Sequence, residues 1–439
     1  MGYQLVSKKV INYTIVKIKE LVKYYMNKKP ELLLPAGDIN TLKIAFDYGA
    51  DACYVGGELY SLRAKAINFN DNDLKQAVEL AHKQNKKIYI TANIYAHNSD
   101  IEGVREYFHF LNIIKPDAVL ISDMGVFSIA KELLDGIDIH ISTQANTTNY
   151  ESINFYEKLG AKRVVVAREL SLNEIREIKN HISESMEIEA FIHGSMCISY
   201  SGRCLLSSFF TGKSANLGEC THPCGWKYDI KDKEFDLIEN ERPDEKFSIM
   251  ENDRGTYIFN SKDLCMIEHI DDLIDAGIDS FKIEGRMKSE LYIATVARVY
   301  RKAIDDYIND KNLYKNNISK YKEEIKKCTY REYTTGFFYG YPNESAQIYD
   351  NNTYVSGAKL LAIVDKVDNE YFYFDQKNKF SVGDTIEIMS KNFDNIKTKV
   401  LEMIDIETGK NVDSCPHSKQ KIKIKTDIMP KIGDIIRSI

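Results

Sequence analysis

Residues 138–166 read DIHISTQANTTNYESINFYEKLGAKRVVV. Asp138–Ser142 is a short apolar run of strand type, and Ser152–Leu159 has the spacing of an amphipathic helix. Gly160 stands where a helix turns into the left-handed conformation, and Arg163–Val166 is a second strand-like run. The stretch is therefore one strand–helix–strand unit, which predicts two parallel strands. The same alternation extends in both directions. Further strand-like runs are Leu32–Leu34, Ala52–Val55, Lys87–Thr91, Ala118–Ile121, Glu187–Ile192 and Ser280–Ile283. Helical patterns separate most of them: Ile39–Tyr48, Asp73–Lys83, Glu102–Leu111 and Gly125–Leu134. Gly49 and Gly277 close helices as Gly160 does. Eight such strands predict an α/β fold, a TIM-type (β/α)8 barrel rather than an open sheet.

The seventh unit breaks the rhythm. Its strand ends at His193-Gly194 and the eighth begins near Ser280, an interval far too long for a plain strand-to-helix connection. The barrel, residues 30–345, thus carries an insertion of about 194–279 at the C-terminal end of strand seven, the face where barrel enzymes keep their active sites. Helices are expected over Ser289–Lys311 and on to about Lys327. Beyond a boundary near 340–355 the pattern changes to short strands with turn residues between them: Lys359–Val364, Tyr371–Phe374, Asp384–Ile388, Lys399–Ile406 and Lys421–Thr426. Residues 354–439 read as a small all-β barrel domain.

The chain is 44% hydrophobic and 28% charged, with a net charge of −6, which excludes a strongly basic nucleic-acid binder as a whole. Local faces remain: Lys315, Lys320, Lys322, Lys326 and Lys327 in one segment, and Lys419, Lys421, Lys423 and Lys425 in another. Each is either a solvated face or a nucleic-acid patch. Residues 1–29, an N-terminal extension, lack the apolar core of a signal peptide, and no apolar run is long enough to span a membrane. A cytoplasmic, reducing setting is expected, where clustered cysteines bind metal or do redox chemistry rather than form disulfides.

Such a cluster exists: Cys197-x6-Cys204-x15-Cys220-x3-Cys224, inside the insertion. The alternatives are four inert buried thiols, a zinc site, or an iron–sulfur cluster. Zinc favours paired knuckles of close spacing, and Cys197-x6-Cys204 is too open for one. Thiolates that each reach a different iron tolerate wider spacing, and Gly194 and Gly202 let backbone approach an inorganic core. Cys265 is a reserve ligand, and Cys53, Cys328 and Cys415 read as structural.

Glu189-x-Phe-x2-Gly-Ser-Met-Cys-x4-Gly-x-Cys-x-Leu-Ser207 resembles the signature of peptidase family U32. The resemblance extends to Glu31-Leu-Leu-Leu-Pro-Ala-Gly37, Asn260-Ser-Lys-Asp-Leu-Cys265 and Phe281-Lys-Ile-Glu-Gly-Arg-Met-Lys-Ser289, and to the C-terminal β domain. The layout is most similar to the tRNA-hydroxylating branch. That branch implies a four-iron four-sulfur cluster on Cys197, Cys204, Cys220 and Cys224, with Cys265 as the alternative to Cys224. It implies formation of 5-hydroxyuridine at the wobble position of tRNA, without oxygen and with prephenate as hydroxyl source. The family also carries a label of collagenase-like protease. Its members begin close to a Pro-Glu-Leu-Leu segment, so residues 1–25 are expected to be an added helix or an early start, with Met26 the alternative initiator.

Substrate-side residues should follow the strand C-termini: Glu58, Arg63, Asn93, His97, Gln144, Asn146, Arg168, His193, Glu284 and Arg286. Guanidinium forks match the carboxylates of a dicarboxylate donor, which makes Arg63, Arg168 and Arg286 candidate clamps, with Gln144 as a further substrate contact. Lys282, Glu284 and Arg286 could instead form an ion-pair network. His193 and Glu284 are the catalytic candidates, although His193 is expected rather to orient a cluster ligand. Trp226 and Tyr200 either stack on a flipped-out base or pack. Proteolysis finds no support in the residues. There is no His-Glu-x2-His helix, and Ser195 and His193 are too close in sequence for triad geometry. The remaining alternatives are a peptidase, an accessory iron–sulfur partner of a hydroxylase, and a ribosomal RNA hydroxylase.

Overall fold

The computed structural model describes residues 29–61, 68–196, 261–340 and 355–439, and between 197 and 260 residues 204, 206–211, 213, 220, 221, 223, 236–238, 246–248, 250–252 and 255–257. The N-terminal extension to residue 28 and the domain boundary at 341–354 lie outside the described residues.

Seven parallel strands follow one another: β1 (Glu31–Pro35), β2 (Ala52–Gly56), β3 (Lys87–Ala92), β4 (Ala118–Ile121), β5 (Asp138–Ile141), β6 (Arg163–Val165) and β7 (Glu187–Gly194). After β7 the insertion carries two short antiparallel pairs, Asp236–Ile238 with Lys246–Ser248 and Met250–Asn252 with Gly255–Tyr257, and the chain then forms β8 (Asp263–Cys265) and β9 (Ser280–Ile283). β9 pairs in parallel with both β7 and β1, which closes an eight-stranded barrel. β8 is not one of the eight. It runs antiparallel to the end of β7, with Cys265 opposite His193, and β10 (Tyr333–Thr334) joins it. The insertion therefore returns along β7 before the helix Ile270–Asp275 begins, a detour that alternation alone does not reveal.

The helices are α1 (Ile39–Asp47), α2 (Asp71–Lys83), α3 (Ile101–Ile114), α4 (Met124–Leu133), α5 (Tyr150–Lys158), α6 (Leu172–His181), α7 (Leu206–Thr211), α8 (Ile270–Asp275), α9 (Glu290–Asn309) and α10 (Lys311–Ile325). Most begin at a residue that can satisfy free N–H groups. The carboxylate of Asp38 accepts from Thr41 N–H at 2.7 Å, Asn70 accepts from Asp73, and Ser171 with Glu174 forms a reciprocal capping box. The long helix expected to Lys311 divides at Asp310, whose side chain accepts from Asn312 N–H and starts α10.

The C-terminal unit is a curled antiparallel sheet of seven strands: β11 (Leu360–Ile363), β12 (Lys366–Val367), β13 (Phe372–Asp375), β14 (Thr385–Met389), β15 (Asn395–Asp405), β16 (Lys421–Thr426) and β17 (Ile435–Ser438). Phe372, Phe374, Ile386, Ile388, Ile422 and Ile424 fill its own core. Leu360, Met389 and Ile435 belong instead to the barrel's core, so the sheet packs on the barrel. Tyr48 at the end of α1 fixes the contact, its hydroxyl lying 3.1 Å from the carbonyls of Met389 and Gly433. No helix among the described residues is long and apolar enough to cross a membrane.

Candidate active site

One end of the barrel is sealed by charge. Arg163, at the start of β6, reaches Glu31 at 2.6 Å, Glu187 at 2.6 Å and Glu189 at 3.0 Å. Lys282 on β9 meets Glu189 at 2.6 Å and lies 4.4 Å from the Tyr54 ring centroid. Burial would raise the Glu31 carboxyl, but the Arg163 guanidinium outweighs it and holds the group below its ordinary value. Burial, then the charges of Arg163 and Lys282, push His140 well below the usual histidine range. Each charge here faces an opposite one, which leaves the other end of the barrel for chemistry.

That end is lined differently. Arg168, beyond β6, pairs with Glu284, beyond β9, at 3.0 Å, and its guanidinium carbon sits 4.0 Å from the Phe191 ring centroid. Arg286 Nη1 donates to Ser61 Oγ at 2.9 Å and to Thr91 Oγ1 at 3.4 Å. A Cβ on Gly56 would fall 2.3 Å from both that Nη1 and Ser61 Oγ, so the arginine can lie there only over a glycine. Gly194 has φ +111°, and a Cβ on it would meet Glu284 at 2.7 Å. Among the contacts of Lys282, Glu284 and Arg286 are Glu189, Arg168 and the two hydroxyls, respectively. Arg63 lies outside the described residues.

Across the opening, Asn93 Nδ2 donates to Ser142 Oγ at 3.2 Å, and the hydroxyl of Tyr95 donates to the carbonyl of Gln144. Gln144 is 8% exposed on the short turn Thr143–Ala145, and its Oε1 is buried without a hydrogen-bond partner. Asn146 turns back onto the Gln144 carbonyl at 2.9 Å. His97 is exposed, and Glu58 lines a cavity of about 320 Å³ with Leu59, Asn70, Asp71, Asn72 and Tyr107.

His193 does not face the opening. The register between β7 and β9 shifts after Phe191, opposite Lys282, so the next pair is His193 with Ile283. A one-residue shift moves a side chain to the opposite face of a strand. Glu189 and Phe191 point into the barrel, while His193 lies beneath Tyr292, Tyr300 and Tyr333, with ring centroids 5.9, 5.5 and 5.6 Å away. Its Nδ1 is 3.3 Å from Tyr300 Oη. Burial pushes its pKa down to about 3, so the imidazole is neutral. Tyr292, on the other side, donates to the Glu284 carbonyl at 2.8 Å. The His193 carbonyl also accepts from Glu284 N–H at 2.8 Å.

Of the clustered cysteines, Cys204 and Cys220 are among the described residues, both half-buried, and Cys197 and Cys224 are not. Ser207, on α7, joins their two segments. Its Oγ accepts from Thr221 N–H at 3.0 Å and lies 3.1 Å from Thr221 Oγ1. The link joins the segments that carry two thiols, and thiolates are the donors that suit a soft metal centre. Among the described residues no three metal-ligating side chains come together. Cys265 points elsewhere: its sulfur is 3.8 Å from Tyr300 Oη, and burial pushes its pKa up to about 12. Trp226 and Tyr200 lie outside the described residues.

Ser61, Thr91, Ser122, Ser142 and Thr147 join the opening without having been singled out by their residue type. Each lies at or just past the C-terminal end of a barrel strand or in the loop beyond it, and that position was the available signal.

Comparison with known proteins bears on the same regions. The family model "Peptidase family U32" matches residues 37–348, and "Peptidase family U32 C-terminal domain" matches 357–437. The chain is 38% identical over 416 residues to tRNA hydroxylation protein P1 of Bacillus subtilis (strain 168), covering 94% of this chain and 95% of that one. It is 37% identical over 396 residues to tRNA hydroxylation protein P of Escherichia coli (strain K12), covering 82% and 86%. A 23S rRNA 5-hydroxycytidine synthase of the same bacterium is 34% identical over 281 residues, 64% of this chain and 40% of that protein.

Proposed function

The chain belongs to peptidase family U32, and from that premise we propose that it hydroxylates a uridine of tRNA at carbon 5, at the wobble position, with prephenate as the source of the hydroxyl group. The observation that carries the reading is the pairing of near full-length similarity to tRNA hydroxylation proteins with a polar, arginine-bearing opening beside the cysteine insertion.

Cys204 and Cys220, with Cys197 and Cys224, would hold a four-iron four-sulfur cluster, which when bound supplies a redox-capable metal centre. The chain's own residues do the rest. Arg168 and Arg286 follow different strand ends, and each would take one carboxylate of a donor. Phe191 beneath the Arg168 guanidinium keeps water from one side and strengthens its pull on an anion. Glu284 fixes the direction of Arg168.

A serine peptidase of the triad type would need a histidine that reaches a nucleophile. His193 is instead buried, neutral and directed at Tyr300. The reading is tested by mass spectrometry of nucleosides from tRNA of a strain lacking the gene. 5-Hydroxyuridine derivatives should be absent and should return with the wild-type gene. Unchanged levels of those nucleosides would discard the hydroxylase assignment. Anaerobically purified protein should be brown, and colourless protein with stoichiometric zinc would remove the cluster from the scheme.

A further inference from the structure

The opening is not lined alike all round, and the ends of β3, β4 and β5 carry several uncharged polar side chains. Their placement follows from strand register. Thr91 pairs with Leu120 and Leu120 with His140 across β3, β4 and β5. Side chains alternate along a strand, so Asn93, Ser122 and Ser142, each two residues further on, form the next inward-facing layer. Asn93 spans that layer to Ser142 at 3.2 Å. Ser122 stands between them at 7% exposure, and its Oγ has no hydrogen-bond partner. Gln144 and Thr147, on the loop that continues from β5, are 8% and 2% exposed, and their side-chain oxygens Oε1 and Oγ1 also lack partners.

Three buried polar oxygens without partners in one wall are unusual. Leaving one such group unsatisfied costs about 1–3 kcal/mol, and folded proteins keep few of them. Grouped at the C-terminal face of a barrel, they mark a place completed by a ligand. Their chemistry limits that ligand. Two are hydroxyls, which can donate, and the third is an amide oxygen, which only accepts. None is charged, so the group they take is neutral. Its matching edge offers two acceptors and one donor.

We propose that Ser122, Gln144 and Thr147 form a subsite for the Watson–Crick edge of a flipped-out uracil ring. Its two carbonyl oxygens accept from the hydroxyls, and its ring N–H donates to Gln144 Oε1. Cytosine presents two donors' worth of hydrogen on its amino group and an acceptor at the ring nitrogen, so it leaves Gln144 Oε1 facing a lone pair. The assignment deepens the hydroxylase reading and rests on it. It divides the opening into an anionic donor side at Arg168 and Arg286 and a nucleobase side at the ends of β4 and β5.

The test compares binding of two anticodon stem-loops, one with uridine and one with cytidine at the wobble position, to the anaerobically purified full chain. The same variants are also expressed in the strain lacking the gene, and tRNA nucleosides are measured. Wild type should bind the uridine stem-loop about tenfold more tightly. Gln144→Leu, which removes the acceptor, should erase that ratio. Ser122→Ala removes a single oxygen and should weaken the uridine complex about fivefold, which keeps the test readable if the leucine variant folds poorly. If both variants keep the wild-type ratio while wild type restores 5-hydroxyuridine, the subsite is overturned and the hydroxylase reading survives. If wild type restores none, both fall together.

Discussion

His193 is 1% exposed under three tyrosine rings, and its titration belongs to stability rather than turnover. In the unfolded chain it takes up a proton near its ordinary value of 6.5, and in the folded chain only near 3. Between those values the unfolded state binds the extra proton, so its share of stability is intact above pH 6.5 and lost as pH falls. One such group should remove about 1.4 kcal/mol per pH unit below 6.5. His140, also lowered by burial, acts in the same direction. His193→Phe should flatten the slope of unfolding free energy against pH by one proton, read from urea titrations at pH 7.5 and 5.5. An unchanged slope would show that the ring is solvated. A second residue-scale expectation concerns Gly56. Its alanine variant would drive a Cβ into Arg286 Nη1 and Ser61 Oγ, each 2.3 Å away. The guanidinium should leave its hydroxyl cradle, and the KM for the dicarboxylate donor should rise about tenfold with the melting temperature nearly unchanged. A KM that stays put would free Arg286 from the role of clamp.

Elements were legible where one rule governed many residues. Eight strands and their order follow from alternation, because a parallel strand buried on both faces needs a continuous apolar run and its helix needs an amphipathic one. The face a given side chain takes was not legible where the rule slips by one residue. The shift between β7 and β9 reverses His193, and no local propensity records it, since pairing depends on a strand some 90 residues away. The strand β8 was hidden for a related reason. Asp263–Cys265 is three residues long and owes its conformation to the end of β7. The link between Ser207 on α7 and Thr221 lies at the same scale, and it joins the segments that carry Cys204 and Cys220. Ser207→Ala should loosen the pair without altering the barrel. Iron retained per chain after anaerobic gel filtration in the presence of a chelator should fall about tenfold. Iron equal to wild type would mean that the thiolates are held by other contacts.

At the scale of the whole molecule, the barrel and the β sheet share one buried ionic cluster. Arg437 on β17, 0% exposed, meets Glu324 of α10 at 2.7 Å and Glu387 of β14 at 2.6 Å. Arg298 of α9 binds Glu324 as well, and Lys327 reaches Glu387 at 3.0 Å. Lys327 had read as part of a basic run, yet it serves this interface, while Lys423 and Lys425 lie over the Tyr371 ring. Sequence could mark these residues as charged but not as buried, because their partners come from the other domain. Burial would raise the Glu324 carboxyl, but Arg437 and Arg298 outweigh it and lower its pKa below 4.5. The cluster therefore adds stability that is complete above pH 4.5 and fades as pH falls toward the lowered value. Arg437→Met leaves Glu387 and Glu324 buried with less compensation and should cost about 3–5 kcal/mol. Because Leu360, Met389 and Ile435 belong to the barrel's core, that loss should appear in both domains together. Differential scanning calorimetry should show one transition in wild type and one, at lower temperature, in the variant. Two separated transitions in the wild type would mean that the domains fold independently and that the cluster does not couple them.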